Sequence, residues 1–322
     1  MNRAICVAEN SGVMTSFSLD EIVDCDELVF KDITLDDMQQ VASYLRYSNS
    51  YSCDYTLGGI YLWIGYLGYK FAIYHNTLFI RGVAPDDRSK VAFSLPLGEL
   101  PLAQGVQLVR DYCDKNGIQA QFSAIPQERL DEFMTFSPKS VQELEDWADY
   151  IYSANDLATL KGNKFSKKRN HVNKFFATYP TATISEINAN NISAVRDCYH
   201  HICAGATNDT PMARYERNQV ATALERLYQY PFQHLCLMFD GKVIGFTIGE
   251  IVGDTLHVHI EKVQREFSGA NEALCKLFTE RMLNKYQIKL VNRQDDAGDA
   301  GLRKSKLSYH PQLILKKYNC EL

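Results

Sequence analysis

The stretch His234–Val263 leaves the chain little choice of architecture. Three runs, approximately His234–Asp240, Lys242–Gly253 and Thr255–Val263, are rich in β-branched and aromatic residues, and the turn pairs Asp240-Gly241 and Gly253-Asp254 divide them. Two-residue turns of this composition join antiparallel strands, so the runs form a meander. Directly after the third run, Ser268-Gly269-Ala270 opens a helical pattern to about Tyr286, and Ile288–Asn292 reads as a further strand. A strand at about Thr181–Ile187 and helices at Ile192–Cys203 and Met212–Tyr228 precede the meander. The order is helix, helix, three antiparallel strands, helix, strand: an α+β layout.

The first half also mixes the two element types. Thr34 followed by Leu35-Asp36-Asp37 reads as an N-cap with an acidic first turn, opening a helix to about Tyr47. From Ile60 to Tyr74 aromatic and small residues alternate as in a strand, His75-Asn76-Thr77 supplies a hairpin turn, and Leu78–Val83 is the partner strand. Pro101 starts a helix to Lys115, Asn116-Gly117 stops it, and Gln119–Ala124 is another strand. A length of 322 residues exceeds what one core usually organises, which points to two domains. The acidic stretch Glu143–Asp149 gives way to a basic one at Lys161, so the expected boundary is near residue 155, with lobes 1–155 and 156–322.

That change of charge is the chain's main electrostatic feature. The net charge is only -5, yet roughly 11 basic and 23 acidic residues precede Lys161, against roughly 23 basic and 16 acidic from there on. A basic second half favours an anionic ligand such as a phosphate, nucleotide, tRNA or lipid headgroup. Hydrophobic content of 46% with 18 Gly and 9 Pro excludes collagen-like, mucin-like and broadly disordered chains. Nine cysteines without a CxxC pair read as reduced thiols, with no structural zinc. Met1–Asn10 lacks a secretory h-region, and the uncharged stretch between Asp54 and Lys70 is too short to span a bilayer, so the expectation is a cytoplasmic chain with no transmembrane segment.

Two basic elements could carry chemistry. Lys161, Lys164, Lys167, Lys168, Arg169 and Lys174 place six positive charges within 14 positions, with no negative one. On a helix Lys164, Lys167, Lys168 and His171 share a face, a repulsion that an anion would relieve; a solvated surface is the alternative. Asn170 and Asn173 could add hydrogen bonds to phosphate or ribose. In the second element Asp295, Asp296 and Asp299 precede Arg303, Lys304 and Lys306, with Gly298 and Gly301 between. It reads either as an anion-binding loop or as an internal salt-bridge network, with Asp299 as N-cap. On the third meander strand His257, His259 and Glu261 are spaced by two and so are expected on one sheet face. Glu261 or His259 is the candidate general base. Cys198-Tyr-His-His-Ile-Cys203 fails as a metal site, because five residues of helix rotate the thiols about 140° apart. Tyrosines between Tyr44 and Tyr74 could stack bases, or simply pack.

The element order resembles the N-acyltransferase fold of the GNAT superfamily, in which a Q/R-x-x-G-x-G/A loop binds the CoA pyrophosphate at a helix N-terminus. Here Gln264-Arg265-Glu266-Phe267-Ser268-Gly269-Ala270 keeps the first Gln and last Gly but has Phe267 at the middle glycine. Two longer stretches, Leu160–Phe176 and Asn292–Lys306, together with Asp149–Tyr152, Glu261-Lys262 and Ser308–Pro311, resemble the DUF2156 family. This family is similar to the C-terminal catalytic domain of phosphatidylglycerol lysyltransferases. The resemblance implies two tandem GNAT-like lobes, each a mostly antiparallel mixed sheet flanked by helices. It also implies aminoacyl transfer from aminoacyl-tRNA to a small or lipid-borne acceptor, with possible contact to a lipid headgroup at the membrane surface. On it, Lys164, Lys167, Lys168, Arg169 and Asn170 would meet phosphate, and Gly269 and Ala270 would present amides. Asn292, Arg293, Asp295 and Asp296 would form the loop of the site, and Arg303 and Lys306 would clamp the carrier. An acyl-CoA-dependent N-acetyltransferase, or a noncatalytic module binding a nucleotide, lipid headgroup or RNA, are the alternatives.

Overall fold

The computed structural model describes residues 27–322; the leader reading of Met1–Asn10 lies outside them. Two sheets organise these residues. The first contains β1 (Lys31–Asp32), β2 (Lys70–Tyr74), β3 (Thr77–Val83), β4 (Val91–Phe93), β5 (Leu97–Gly98), β6 (Gln121–Pro126) and β7 (Ser140–Glu143). The second contains β8 (Asp149–Ser153), β9 (Thr183–Glu186), β10 (Gln233–Phe239), β11 (Lys242–Val252), β12 (Thr255–Val263), β13 (Leu290–Asn292) and β14 (Leu313–Leu315). The chain then returns, and β15 (Lys317–Glu321) inserts into the first sheet between β6 and β7, antiparallel to both. The order in the second sheet is β14-β8-β13-β12-β11-β10-β9. Its one parallel pairing, β12 with β13, follows the helical crossover. Strand pairing thus assigns Asp149–Ser153 to the second sheet, ahead of residue 155, and Lys317–Glu321 to the first.

Ten α-helices cover the sheets among the described residues: α1 (Met38–Leu45), α2 (Leu57–Trp63), α3 (Leu102–Asn116), α4 (Gln127–Met134), α5 (Ala154–Thr159), α6 (Ser166–Thr178), α7 (Ile192–Ala204), α8 (Pro211–Glu225), α9 (Ala270–Lys285) and α10 (Ala300–Leu307). Phe79, Phe93, Val106, Phe122 and Phe133 form a core within the first lobe. Tyr152, Leu157, Leu256, Phe278 and Met282 do so within the second. The largest cluster belongs to both: Val41, Ile60, Tyr61 and Phe71 from the first lobe meet Val195, Val220, Phe246 and Ile260 from the second. The lobes are therefore held by shared apolar burial, the dominant favourable term in folding.

The strand expected over Ile60–Tyr74 is in part a helix. Thr56 caps α2 by accepting the Gly59 amide, and only Lys70–Tyr74 is extended. Six of the seven α2 residues are buried, because the helix is wedged between the lobes. A helix covered all round shows no amphipathic period, which is why its sequence imitates a strand. After residue 155 the chain forms two helices, α5 and α6, with a 3-10 turn at Asn163–Phe165 that takes Lys164 out of α6.

Candidate active site

β12 and β13 pair over three positions, from Thr255 with Leu290 to His257 with Asn292, and no pairing continues beyond them. Two departures from regular strand geometry decide what lies around this point. The first is a β-bulge: Ile248 pairs with Ile260 and Gly249 with Val258, leaving His259 as an extra residue. A bulge reverses the in-out alternation beyond it. His259 lies under α2, where a Cβ on Gly58 would come within 2.4 Å of its ring. Glu261 instead points to the α9 side, where it meets Arg293. The expectation that His257, His259 and Glu261 share one face is corrected by that single inserted residue.

His259 is almost wholly enclosed. Its Nε2 lies 2.7 Å from Glu250 Oε1, and its Nδ1 lies 2.8 Å from Gln294 Nε2. The same Glu250 oxygen accepts the Gly58 amide at 2.7 Å. Burial acts to raise the Glu250 carboxyl, but the His259 hydrogen bond and the Gly58 amide together hold it below the usual range. His257, stacked on His259 at 6.4 Å, is pushed down to about 4 by burial, with the neighbouring histidine adding to the effect. Both ring nitrogens of His259 are engaged within the fold.

The second departure is the loop after β13. Arg293 Nη2 lies 2.7 Å from Glu261 Oε1, and the guanidinium sits 4.8 Å from the centre of the Tyr309 ring. Lys168 Nζ, from α6, lies 4.0 Å from the same ring and 3.3 Å from Glu272 Oε1, which His171 Nδ1 also approaches at 3.3 Å. The cationic helix and the arginine-bearing loop therefore meet at Tyr309, beside Glu261. Two polar atoms of this cluster, Glu261 Oε2 and Arg293 Nη1, are buried and have no hydrogen-bond partner. Buried polar groups are rarely left in this state, and each calls for an explanation, a catalytic role among them.

Other expected site residues are engaged inside the fold. Lys164 lies in the 3-10 turn and pairs with Asp156 at 2.9 Å, away from Glu272, while Arg169 donates to the carbonyls of Leu160 and Gly162. Lys167 and Asn170 are exposed. Gly269 takes φ +87° and lies against the His171 carbonyl, and Ala270 is buried. Helix α6 thus covers the N-terminus of α9, whose first turn carries Glu272. Arg303 and Lys306, expected to clamp a carrier, close the last loop instead. Arg303 pairs with Asp296 and Asp146, and Lys306 donates to the carbonyls of Arg293, Gln294 and Asp295. This is the internal network that the sequence left open as the alternative. Asn292 donates to Asp149 Oδ2 at 2.8 Å and to the Tyr51 carbonyl at 2.7 Å. Asp295 faces a cavity between the lobes.

Sequence reasoning did not single out Glu250 or Glu272, and it quoted Gln294 and Tyr309 only within the family-like stretches, with no role of their own. Glu250 was within reach of the meander register, which sets it opposite His257. Tyr309 and Glu272 approach the site only through tertiary packing.

The chain matches the family described as phosphatidylglycerol lysyltransferase, C-terminal, over residues 45–321. A conserved protein of unknown function from Bacteroides thetaiotaomicron shares the fold with a TM-score of 0.80 at 29% identity, over 92% of this chain and 99% of that one. L-PGS from Bacillus licheniformis superposes with a TM-score of 0.60 at 13% identity, over 88% of this chain and 91% of that one. The uncharacterized protein MYCGA3080 of Mycoplasmoides gallisepticum is 27% identical over 179 residues, which cover 54% of this chain and only 56% of that relative.

Proposed function

The chain belongs to the phosphatidylglycerol lysyltransferase C-terminal family, and from that premise we propose that it transfers an aminoacyl group from aminoacyl-tRNA to a small or lipid-borne acceptor. The observation that carries this reading is the Glu261–Arg293 pair, in which one carboxylate oxygen and one guanidinium nitrogen are buried without a partner, just beyond the end of the β12–β13 pairing. Aminoacyl transfer needs a group to take the proton of the attacking amine or hydroxyl, and a donor for the oxyanion that develops on the ester carbonyl. Glu261 Oε2 suits the first role and Arg293 Nη1 the second. Lys168, 4.0 Å from the centre of the Tyr309 ring, would add positive potential toward the tRNA 3′ end, and the exposed Lys161, Lys167 and Lys174 would extend it across the surface.

The same observations weigh against acyl-CoA as donor. A pyrophosphate would need the free amides at the start of α9, but α6 covers them and Glu272 places a carboxylate in that first turn. No helix among the described residues is long and apolar enough to cross a membrane, so a lipid acceptor would be reached from the membrane surface.

The test is turnover. tRNA charged with labelled amino acids should lose its label to an added amine or lipid acceptor faster with the native chain than with Glu261→Gln, by about 10²- to 10⁴-fold. Equal rates for the two proteins across the acceptor screen would refute the transferase reading.

A further inference from the structure

Where the β12–β13 ladder stops, two side-chain bridges span the gap, one on each face of the sheet. On the α9 side Arg293 Nη2 meets Glu261 Oε1 at 2.7 Å. On the α2 side Gln294 Nε2 meets His259 Nδ1 at 2.8 Å, and His259 Nε2 meets Glu250 Oε1 at 2.7 Å. On the transferase reading above, we propose that Gln294, His259 and Glu250 are positioning residues, whose bridge sets the place of the Arg293 guanidinium beside Glu261.

Backbone connection is the first argument. The loop's own ladder runs to β8: Arg293 N donates to the Tyr150 carbonyl at 3.0 Å, and Tyr150 N donates to the Gln294 carbonyl at 3.1 Å. Toward β12 the two bridges take the place of backbone pairing. Gln294 holds φ +59°, a left-handed conformation that persists in a non-glycine residue where its surroundings impose it. The Asn292 side chain imposes part of it by accepting the Gln294 amide at 2.6 Å, and Lys306 Nζ donates to the Arg293 carbonyl at 2.7 Å. Arg293 and Gln294 thus share one constrained peptide while their side chains serve opposite faces, so a shift of one is passed to the other. The Arg293–Glu261 pair cannot correct such a shift by itself. Arg293 Nη1 and Glu261 Oε2 have no partner, so one hydrogen bond joins the two groups and leaves their angle to the backbone, unlike a two-point Arg–carboxylate pair.

Polarity is the second argument. The Glu250 carboxylate can only accept, so His259 donates from Nε2 and keeps Nδ1 as the acceptor for the Gln294 amide nitrogen. The row starts in the other lobe, where the Gly58 amide donates to the same Glu250 oxygen at 2.7 Å. The side chains of His259 and Glu250 are 2% and 8% exposed, so water competes little for these bonds. With the other tautomer, two donors would face each other at the Gln294 end and the bridge would open. The row therefore passes a constraint from α2 of the first lobe to the site loop of the second.

Two readouts keep this proposal distinct from the transferase reading. In NMR spectra of isotope-labelled protein, native His259 should carry its proton on Nε2, and the guanidinium nitrogens of Arg293 should give separate signals, as a held group does. Gln294→Met keeps the length of the side chain and removes its donor, and the Arg293 signals should then merge as the group turns. Gln294→Glu should restore them, because His259 can take a proton on each nitrogen and donate to both carboxylates. In turnover, Gln294→Met should lower kcat about 10- to 100-fold and leave KM for aminoacyl-tRNA within about twofold, the pattern of lost orientation without lost binding. Gln294→Glu should stay within about threefold of the native kcat. A native chain without turnover would sink the transferase reading alone, and the Arg293 signals would still decide the positioning. The proposal is overturned by a native His259 protonated on Nδ1, which is read even if a variant fails to fold. It is equally overturned by Arg293 signals that Gln294→Met leaves unchanged, by KM rising in step with the fall in kcat, or by a Gln294→Glu variant as impaired as Gln294→Met.

Discussion

Replacing Lys317 with methionine tests how the lobes are joined. Lys317 stands on β15 in the first sheet and Asp149 on β8 in the second, with Nζ 2.8 Å from Asp149 Oδ1 and 2.6 Å from Asp54 Oδ2. Both Lys317 and Asp149 are almost completely buried. Burial alone would lower the Lys317 ammonium, yet Asp149 and Asp54 hold it well above its ordinary range. Burial would raise the Asp149 carboxyl, yet Lys317, with the Cys53 amide and Asn292, holds it below. Methionine keeps the apolar stem and removes only the charge. Asp149 would retain the Cys53 amide at 2.7 Å and Asn292 at 2.8 Å, so the expected loss lies near the lower end of the about 3–5 kcal/mol that follows from breaking a buried pair. Lys317→Met with Asp149→Asn should recover part of it, giving a coupling of about 2–3 kcal/mol.

The pH dependence has a definite sign. In the native chain Asp149 is depressed, so its contribution is present above the unfolded carboxyl pKa and is lost as pH falls through the folded value. In the variant the unpaired, buried Asp149 should instead be raised, so the penalty is fully present at neutral pH and shrinks as the carboxyl takes up a proton. Urea midpoints from tryptophan fluorescence and circular dichroism, at about pH 7.5 and about pH 5, measure both effects. A deficit below about 1 kcal/mol, or one equal at the two pH values, would refute the reasoning.

Three further outcomes are expected. Gly269→Ala sets a Cβ 2.7 Å from the His171 carbonyl at φ +87°, and should cost about 1–3 kcal/mol, read as a lower melting temperature, by forcing α6 from α9. Gly58→Ala places a methyl 2.5 Å from His259 Nε2; it should cost about 1–3 kcal/mol and shift the His259 ring resonances in NMR spectra, the sign that the Glu250 bond has been displaced. On the proposed function, Lys167→Glu and Lys174→Glu should each lower the steepness of the salt dependence of tRNA binding by about one phosphate contact, measured by filter binding.

Local chemistry made much of this fold legible. His75 and Asn76 both adopt left-handed conformations, as their turn demands, and so do Asp240, Gly241 and Gly253 in the meander. Asp299 caps α10 by accepting the Leu302 amide, and Gly117 ends α3 at φ +63°. These signals depend on a few neighbouring residues. What the sequence concealed depends on distant ones. Helix α2 imitates a strand because both lobes cover it, and β15 finds its place between β6 and β7 through pairings far apart in the chain. At the site, the residue types were legible as acid, base and cation, but their partners were not. The His259 bulge moved Glu261 to the other face, and Arg303 and Lys306 took the internal network, which the sequence offered only as the alternative to an anion-binding loop.

The returning strand also sets a timetable for synthesis. β6 and β7 are made early, but the strand that fills the space between them emerges about 170 residues after β7, roughly ten to thirty-five seconds later at ordinary elongation rates. Through that interval both strands carry an open edge able to recruit any extended segment nearby. A nascent chain stalled inside the second lobe would therefore be prone to clump through its first, well before any residue of the candidate site had failed.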